Sequence, residues 1–422
     1  MDKLVIEGGV PLKGEVRISG SKNAALPMMA ATLLTDEPCE LRNVPGLRDT
    51  RTMVRLLESL GKTVEFSSDK VVIQAGGPAR HVADYQLVST MRGSFCVLGP
   101  LLAKLGKAKV SLPGGCVIGV RPVDLHLKGL QALGAKLEID SGYVVARARR
   151  LTGRSVYLGG GFGSSVLATA NVMMAAVLAK GETVIESAAC EPEIEDLARM
   201  LVAMGARIEG IGSPRLVIRG VRRLKGVQYR IIPDRIEAGT YMLMAAALHS
   251  PITVKGAQYQ HLLALVDKLQ LTGVRVRKEN QAIRVQPRKA YNPVSIATHP
   301  YPGFPTDLQA QFLALMTLVP GVSVVTDKIY PDRFMHIPEL NRMGANIRRE
   351  GGQAIIQGVK RLHGAPVMAS DLRASAALVI AGLAAEGRTE IHRVYHLDRG
   401  YELLEKKLTA LGARVWRERD EA

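Results

Sequence analysis

The chain has 422 residues, 47% of them hydrophobic and 23% charged, a balance that excludes a disordered tail, a collagen-like repeat or a small disulfide-stapled scaffold. Its 56 Lys and Arg outnumber its 39 Asp and Glu, giving a formal charge of +17 that draws anions from a distance. Aromatic residues make up only 4% and stand singly, so no row of stacking platforms for nucleic acid is expected, although the charge leaves such a contact open.

The first residues, MDKLVIEGG, hold no basic stretch followed by an apolar run, and the longest apolar runs, near residues 24–34 and 374–385, fall short of a membrane span. A cytoplasmic protein is expected, neither secreted nor membrane-integral. The next element, KNAALPMMAATLL from Lys22, reads as a helix apolar on nearly every face. Five more follow in order: MRGSFCVLGPLLAKLG, SSVLATANVMMAAVLAKG, DRIEAGTYMLMAAALHS, PTDLQAQFLALMTLV and SDLRASAALVIAGLAA. Such helices belong in an interior. Alternating with them is a second pattern, an amphipathic helix closed by Gly and followed by a short alternating strand, with its glycines at Gly61, Gly134, Gly205, Gly273, Gly344 and Gly412. Successive spacings of 73, 71, 68, 71 and 68 define a unit near 70 residues, six of which span the chain. The reading is an α/β repeat protein with its amphipathic helices outside and its strands between the two kinds of helix.

The buried helices open on charged residues, at Lys22, Arg92, Asp234, Arg235, Asp307, Asp371 and Arg373. Helix N-termini carry unpaired N–H groups, so several converging on one cleft would trap anions; Ser21 and Asp371 read equally well as ordinary N-caps. The sharpest local sequence is SLPGGCVIGVRPVDLH, Ser111 to His126. Cys116 sits there among glycines and prolines, in a loop, and Arg121 nearby would lower its pKa and raise its reactivity. A buried structural thiol is the competing reading for Cys116 and the better one for Cys39, Cys96 and Cys190. With no CxxC pair, neither a disulfide framework nor a zinc site is expected. GGGFGSS at 159–165 lacks a Lys-Ser/Thr ending and reads as a Gly-rich turn feeding a helix. Asp307, beside many cations, would have a lowered pKa unless burial offsets them; it could orient a substrate hydroxyl or cap its helix.

SGSKNAALP (Ser19–Pro27), LPGGCVIGVRPVDLH, PDRIEAGTY (Pro233–Tyr241), FPTDLQAQ (Phe304–Gln311), RFMHIPEL (Arg333–Leu340), SDLRASAAL (Ser370–Leu378) and LDRGYE, in this order from end to end, resemble the enolpyruvyl transferase family. The resemblance implies two similar inside-out α/β barrel domains of three repeats each, with buried helices. One would comprise residues 1–21 and 231–422, completed by the N-terminal strands, and the other residues 22–230, carrying the Cys116 lid loop, with the active site in the cleft between them. It implies transfer of the enolpyruvyl group of phosphoenolpyruvate to the 3-hydroxyl of UDP-N-acetylglucosamine with release of phosphate, the first committed step of peptidoglycan synthesis, without metal or organic cofactor.

By the same resemblance, Lys22, Arg121 and Arg399 would hold the phosphate, with Asn23 beside them, and Arg333 and Arg373 the carboxylate. Cys116 would protonate the methylene carbon and be the target of fosfomycin, while Asp307 would act as base. Asn23, Arg92, Arg121, Pro122, Val123, Asp124, Leu125, Ser164, Ser165, Val166, Asp307 and Ile329 would contact the UDP-sugar. Two positions depart from the family pattern: Leu167 stands where Gly is usual, and Gly93 where Ala is usual. Alternatives are the same transfer to another acceptor such as shikimate 3-phosphate, or a non-catalytic basic paralogue that binds polyanions.

Overall fold

The computed structural model describes residues 2–114 and 123–420. Within them one strand topology recurs in six separate four-stranded sheets. Val82–Ala83 runs parallel to Lys107–Ser111, which pairs antiparallel with Tyr143–Arg147, which in turn pairs antiparallel with Lys136–Asp140. The other five sheets repeat this parallel, antiparallel, antiparallel order. The local cause is the helix–Gly–strand motif: all six of its glycines have φ between 92° and 109°, the left-handed region in which a helix can stop and turn into a strand without a Cβ clash.

Two compact units result. One holds residues 2–19 and 233–420. In it Asp2–Glu7 lies between Arg388–His392 and Arg414–Arg419, opposing Val5 to both Glu390 and Trp416, and Gly14–Arg17 pairs parallel with Ile252–Lys255. Its interior helices, Arg235–Ala247, Gln309–Met316 and Leu372–Ala384, pack on one another. The other unit holds residues 20–114 and 123–232, with Lys22–Ala31, Leu98–Leu105 and its leading 3-10 turn Arg92–Val97, and Val166–Ala176 in the same role. Lys22–Ala31 is buried at every position except Asn23, and Gln309–Met316 at every position. Small residues allow the close approach: a Cβ on Gly99 would fall 2.2 Å from the Asn171 carbonyl oxygen of a neighbouring helix.

The layering departs from the one expected. Strands do not lie between two sets of helices: in Lys70–Ala75, Val71 and Ile73 are buried on one face, while on the other Lys70 is exposed and Val72 and Gln74 are only half-buried, so that face of the sheet stays partly wet. Antiparallel pairing tolerates a wet face, and one apolar cover is enough. Amphipathic helices such as Arg48–Ser59 instead pack directly on a buried helix, here Lys22–Ala31, beside the strand Lys62–Ser67. The sheets stay separate, and among the described residues no strand pairing closes a barrel. No described helix is long and apolar enough to cross a membrane.

Candidate active site

In the unit of residues 2–19 and 233–420, three chain segments bring charge to one point. Pro305 ends the extended run before a 3-10 turn, Thr306–Leu308, which presents Asp307. Asp307 Oδ1 accepts from Arg333 Nη1 at 2.9 Å and Oδ2 accepts from Arg373 Nη2 at 2.9 Å. Both arginines are buried, 5% and 3% exposed. Burial alone would push the Asp307 carboxyl up, but Arg373 and Arg333 outweigh it and hold the group well below the usual carboxylate range. Conversely, burial works against charge on Arg373, and Asp307 reverses the balance. Asp307 is therefore ionised and clamped, and its side chain caps no helix.

A polar shell fixes the clamp. Tyr401, 2% exposed, accepts from Arg373 Nη1 at 3.3 Å and from Gln311 Nε2 at 3.2 Å, and its hydroxyl lies 2.9 Å from Thr240 Oγ1. Gln311 Nε2 also donates to the Asp307 carbonyl at 2.9 Å. Buried Asp327 accepts from Thr298, from Thr306 and from the backbone N–H groups of Ile329 and Tyr330, shaping the turn that leads to Arg333. Arg399 ends the 3-10 segment Val394–Arg399, half-buried, two residues before Tyr401.

Four of the helix starts carry side-chain caps. Asp371 accepts from the N–H groups of Arg373 and Ala374, Asp234 from those of Ile236 and Glu237, Ser21 from Ala24 and Ser165 from Ala168. These are N-caps: Asp371 and Asp234 place a carboxylate where an anion would otherwise sit, whereas Ser21 and Ser165 each take up a single N–H.

In the unit of residues 20–114 and 123–232, Lys22 opens its helix 8% exposed, with Nζ 3.4 Å from Asp49 Oδ2. Asn23 and Arg92 are half-buried. Gly159–Gly160 pairs with Gly163–Ser164 as a two-stranded ribbon that feeds the helix capped by Ser165, so the Gly-rich run is a hairpin. Ser164, Ser165, Val166, Val123 and Leu125 are half-buried and Asp124 exposed. One buried amide joins the segments carrying these residues: Asn171 Nδ2 donates to the Phe95 carbonyl at 3.0 Å and lies 2.8 Å from His126 Nδ1, while Oδ1 accepts from Gly99 N–H at 2.8 Å. Cys39 and Cys96 are buried, and burial pushes the Cys96 thiol up to about 12; Cys190 is only half-buried, unlike the interior thiol expected. Cys116, Arg121 and Pro122 lie outside the described residues.

The family described as EPSP synthase (3-phosphoshikimate 1-carboxyvinyltransferase) matches residues 6–408. UDP-N-acetylglucosamine 1-carboxyvinyltransferases of Lawsonia intracellularis and Geotalea uraniireducens are 52% and 53% identical over 417 residues, covering 99% of both chains. The chain belongs to the enolpyruvyl transferase family. Among solved structures, the enolpyruvyl transferase NikO of Streptomyces tendae superimposes with a TM-score of 0.89 at 25% identity, covering 99% of this chain and 98% of NikO. An EPSP synthase of Acinetobacter baumannii shares the fold, with a TM-score of 0.75 at 16% identity, over 99% of this chain and all of the other.

Within this enolpyruvyl transferase the two departures from the family pattern have local explanations. A Cβ on Gly93 would come within 2.8 Å of Leu26 Cδ1, so Leu26 occupies the space an alanine would fill. Leu167, half-buried, packs against the core of its unit. Sequence alone assigned no role to Tyr401, Gln311, Thr240 and Asp327: three are uncharged and lie within the family motifs without a charge to single them out, and Asp327 looks like one surface carboxylate among many until its buried hydrogen bonds are seen. The only available signal was the position of Tyr401 beside Arg399 and of Gln311 one helical turn after Asp307.

Proposed function

We propose that the chain transfers the enolpyruvyl group of phosphoenolpyruvate to the 3-hydroxyl of UDP-N-acetylglucosamine and releases phosphate, the committed step toward peptidoglycan. The carrying observation is the pair of buried guanidiniums 2.9 Å from one carboxylate, a device suited to holding a small carboxylate anion in a water-poor setting. The relatives at 52–53% identity supply the acceptor named in their activity. Three mutually packed helices with three sheets in each unit support reading each as an inside-out α/β barrel domain, the first completed by the N-terminal strands.

In this reading Lys22, Arg121 and Arg399 hold the phosphate and Arg333 and Arg373 the carboxylate. The 3-hydroxyl oxygen bonds to C2 of phosphoenolpyruvate while its proton passes to Asp307, and C3 takes a proton from the Cys116 thiol. Cleavage of the C2–O bond then expels phosphate, and loss of a proton from the methyl carbon restores the enol ether. Asn23, Arg92, Arg121, Pro122, Val123, Asp124, Leu125, Ser164, Ser165, Val166 and Ile329 bind the sugar nucleotide, and no cofactor takes part.

Phosphate release from phosphoenolpyruvate, followed with each acceptor in turn, tests the proposal. Turnover with UDP-N-acetylglucosamine is expected; turnover only with shikimate 3-phosphate would move the chain to the other acceptor, and none with either would favour a binding paralogue. Fosfomycin is expected to modify the peptide containing Cys116, and wild-type-like turnover by Cys116→Ala would remove that thiol from the mechanism.

A further inference from the structure

We infer that Arg333 and Arg373 exchange carboxylates: the carboxylate of arriving phosphoenolpyruvate displaces that of Asp307, and this displacement frees Asp307 to receive the hydroxyl proton. The inference rests on the function proposed above and adds to it the event that turns the base on.

Four observations carry it. Both oxygens of Asp307 are already taken, one by each arginine, at 2.9 Å, so the clamped carboxylate is badly placed to accept another proton. Asp307 is the accessible member of the trio: its side chain is 27% exposed, against 6% and 4% for those of Arg333 and Arg373. The hold is also incomplete, since each guanidinium spends one N–H on Asp307 where a planar fork can give a carboxylate two. Finally, Arg333 Nε is buried with no hydrogen-bond partner among the described residues, and Nη2 stands 4.0 Å from Asp371. A second carboxylate could use these spare donors better than Asp307 does. Two carboxylates on the same pair of cations would repel one another, and buried arginines left without any carboxylate would be costly, so one anion replacing the other is the arrangement that keeps the charges matched.

Calorimetric titration tests the exchange. Wild type, Asp307→Ala and Asp307→Asn are each saturated with a UDP-sugar lacking the 3-hydroxyl, which prevents turnover, and titrated with phosphoenolpyruvate and separately with inorganic phosphate, which has no carboxylate. Both variants are expected to bind phosphoenolpyruvate about tenfold tighter than wild type, with inorganic phosphate gaining less than about threefold. Unchanged or weaker phosphoenolpyruvate binding would overturn the exchange. So would an equal gain for both titrants, because it would show only relief of a nearby negative charge. Asp307→Asn, close to isosteric, decides the matter if the alanine variant does not fold. Phosphate release by wild type with the intact sugar nucleotide is scored apart: if it occurs while the variants show no carboxylate-selective gain, the proposed function stands and the exchange falls.

Discussion

Tyr401 illustrates how a buried cation is aimed. Its phenol touches Arg373, Gln311 and Thr240, three groups from three different helices, so the direction of the Arg373 guanidinium is set by packing as well as by Asp307. Tyr401→Phe keeps the ring and removes the acceptor; it is expected to lower stability by about 1–2 kcal/mol. The Michaelis constant for phosphoenolpyruvate should rise while that for the sugar nucleotide stays put, and initial-rate kinetics with each substrate varied checks this. Asp307 gives a pH signature of its own. Since its folded-state pKa lies below the unfolded value of about 3.9, its contribution to stability is complete above that value and is lost only as pH falls through the lower folded one. Acid unfolding of Asp307→Asn is accordingly expected to lose part of the pH dependence below about pH 4; superimposable acid-unfolding slopes would contradict this.

Asn171 does at the scale of elements what Tyr401 does at the scale of residues. Its Oδ1 accepts from Gly99 N–H, which fixes the amide orientation, so Nδ2 is the donor and His126 Nδ1 the acceptor. The imidazole must then carry its proton on Nε2. Burial, reinforced by Arg92, lowers the His126 pKa to about 3, which keeps this link intact at neutral pH. Asn171→Leu leaves buried partners unmatched on three segments and is expected to cost roughly 3 kcal/mol in urea unfolding; a loss below about 1 kcal/mol would show that the node is dispensable. Asp196, on the helix Pro192–Ala203, accepts from Tyr229 OH at 2.8 Å and Ile232 N–H at 3.0 Å. Burial nonetheless raises its pKa to about 6. A carboxyl raised on folding binds more protons in the folded state, so stability should fall as pH climbs from about 3.9 through about 6, by an upper bound of about 3 kcal/mol. Asp196→Asn is expected to flatten that part of the stability–pH curve.

At the scale of the molecule, the chain leaves one unit and returns to it at nearly the same place. Asp234 N–H donates to the Ser19 carbonyl at 2.9 Å, and Ser21 N–H donates to the Ile232 carbonyl at 2.8 Å. Residues 20–232 thus form an insertion between adjacent backbone points of the other unit. Joining residues 1–19 to 233–422 through a short Gly-Ser linker is expected to give a cooperatively folding domain. The fragment 233–422 alone should not fold, because the strand Asp2–Glu7 with buried Leu4, Val5 and Ile6 is the centre of a sheet. Circular dichroism melts of the two polypeptides separate these outcomes; a cooperative melt of the bare fragment would show that the sheet survives without its middle strand.

How much was written in the sequence follows from the range of each interaction. The six helix–Gly–strand units could be read directly, since a left-handed C-cap and an apolar period are decided within a dozen residues. Asp371 and Ser21 as caps were legible for the same reason. Sequence also marked Asp307, Arg333 and Arg373 as charged residues in telling places. Their meeting could not be read from it: Asp307 and Arg373 are 66 positions apart, and nothing local states that the two guanidiniums share one carboxylate or that Tyr401 steadies one of them. Nor could periodicity tell which element covers the apolar side of each strand, or that the other side has no second helix layer over it. Propensity and capping act through neighbours along the chain, whereas the clamp and the layering arise only when distant apolar surfaces have been buried together.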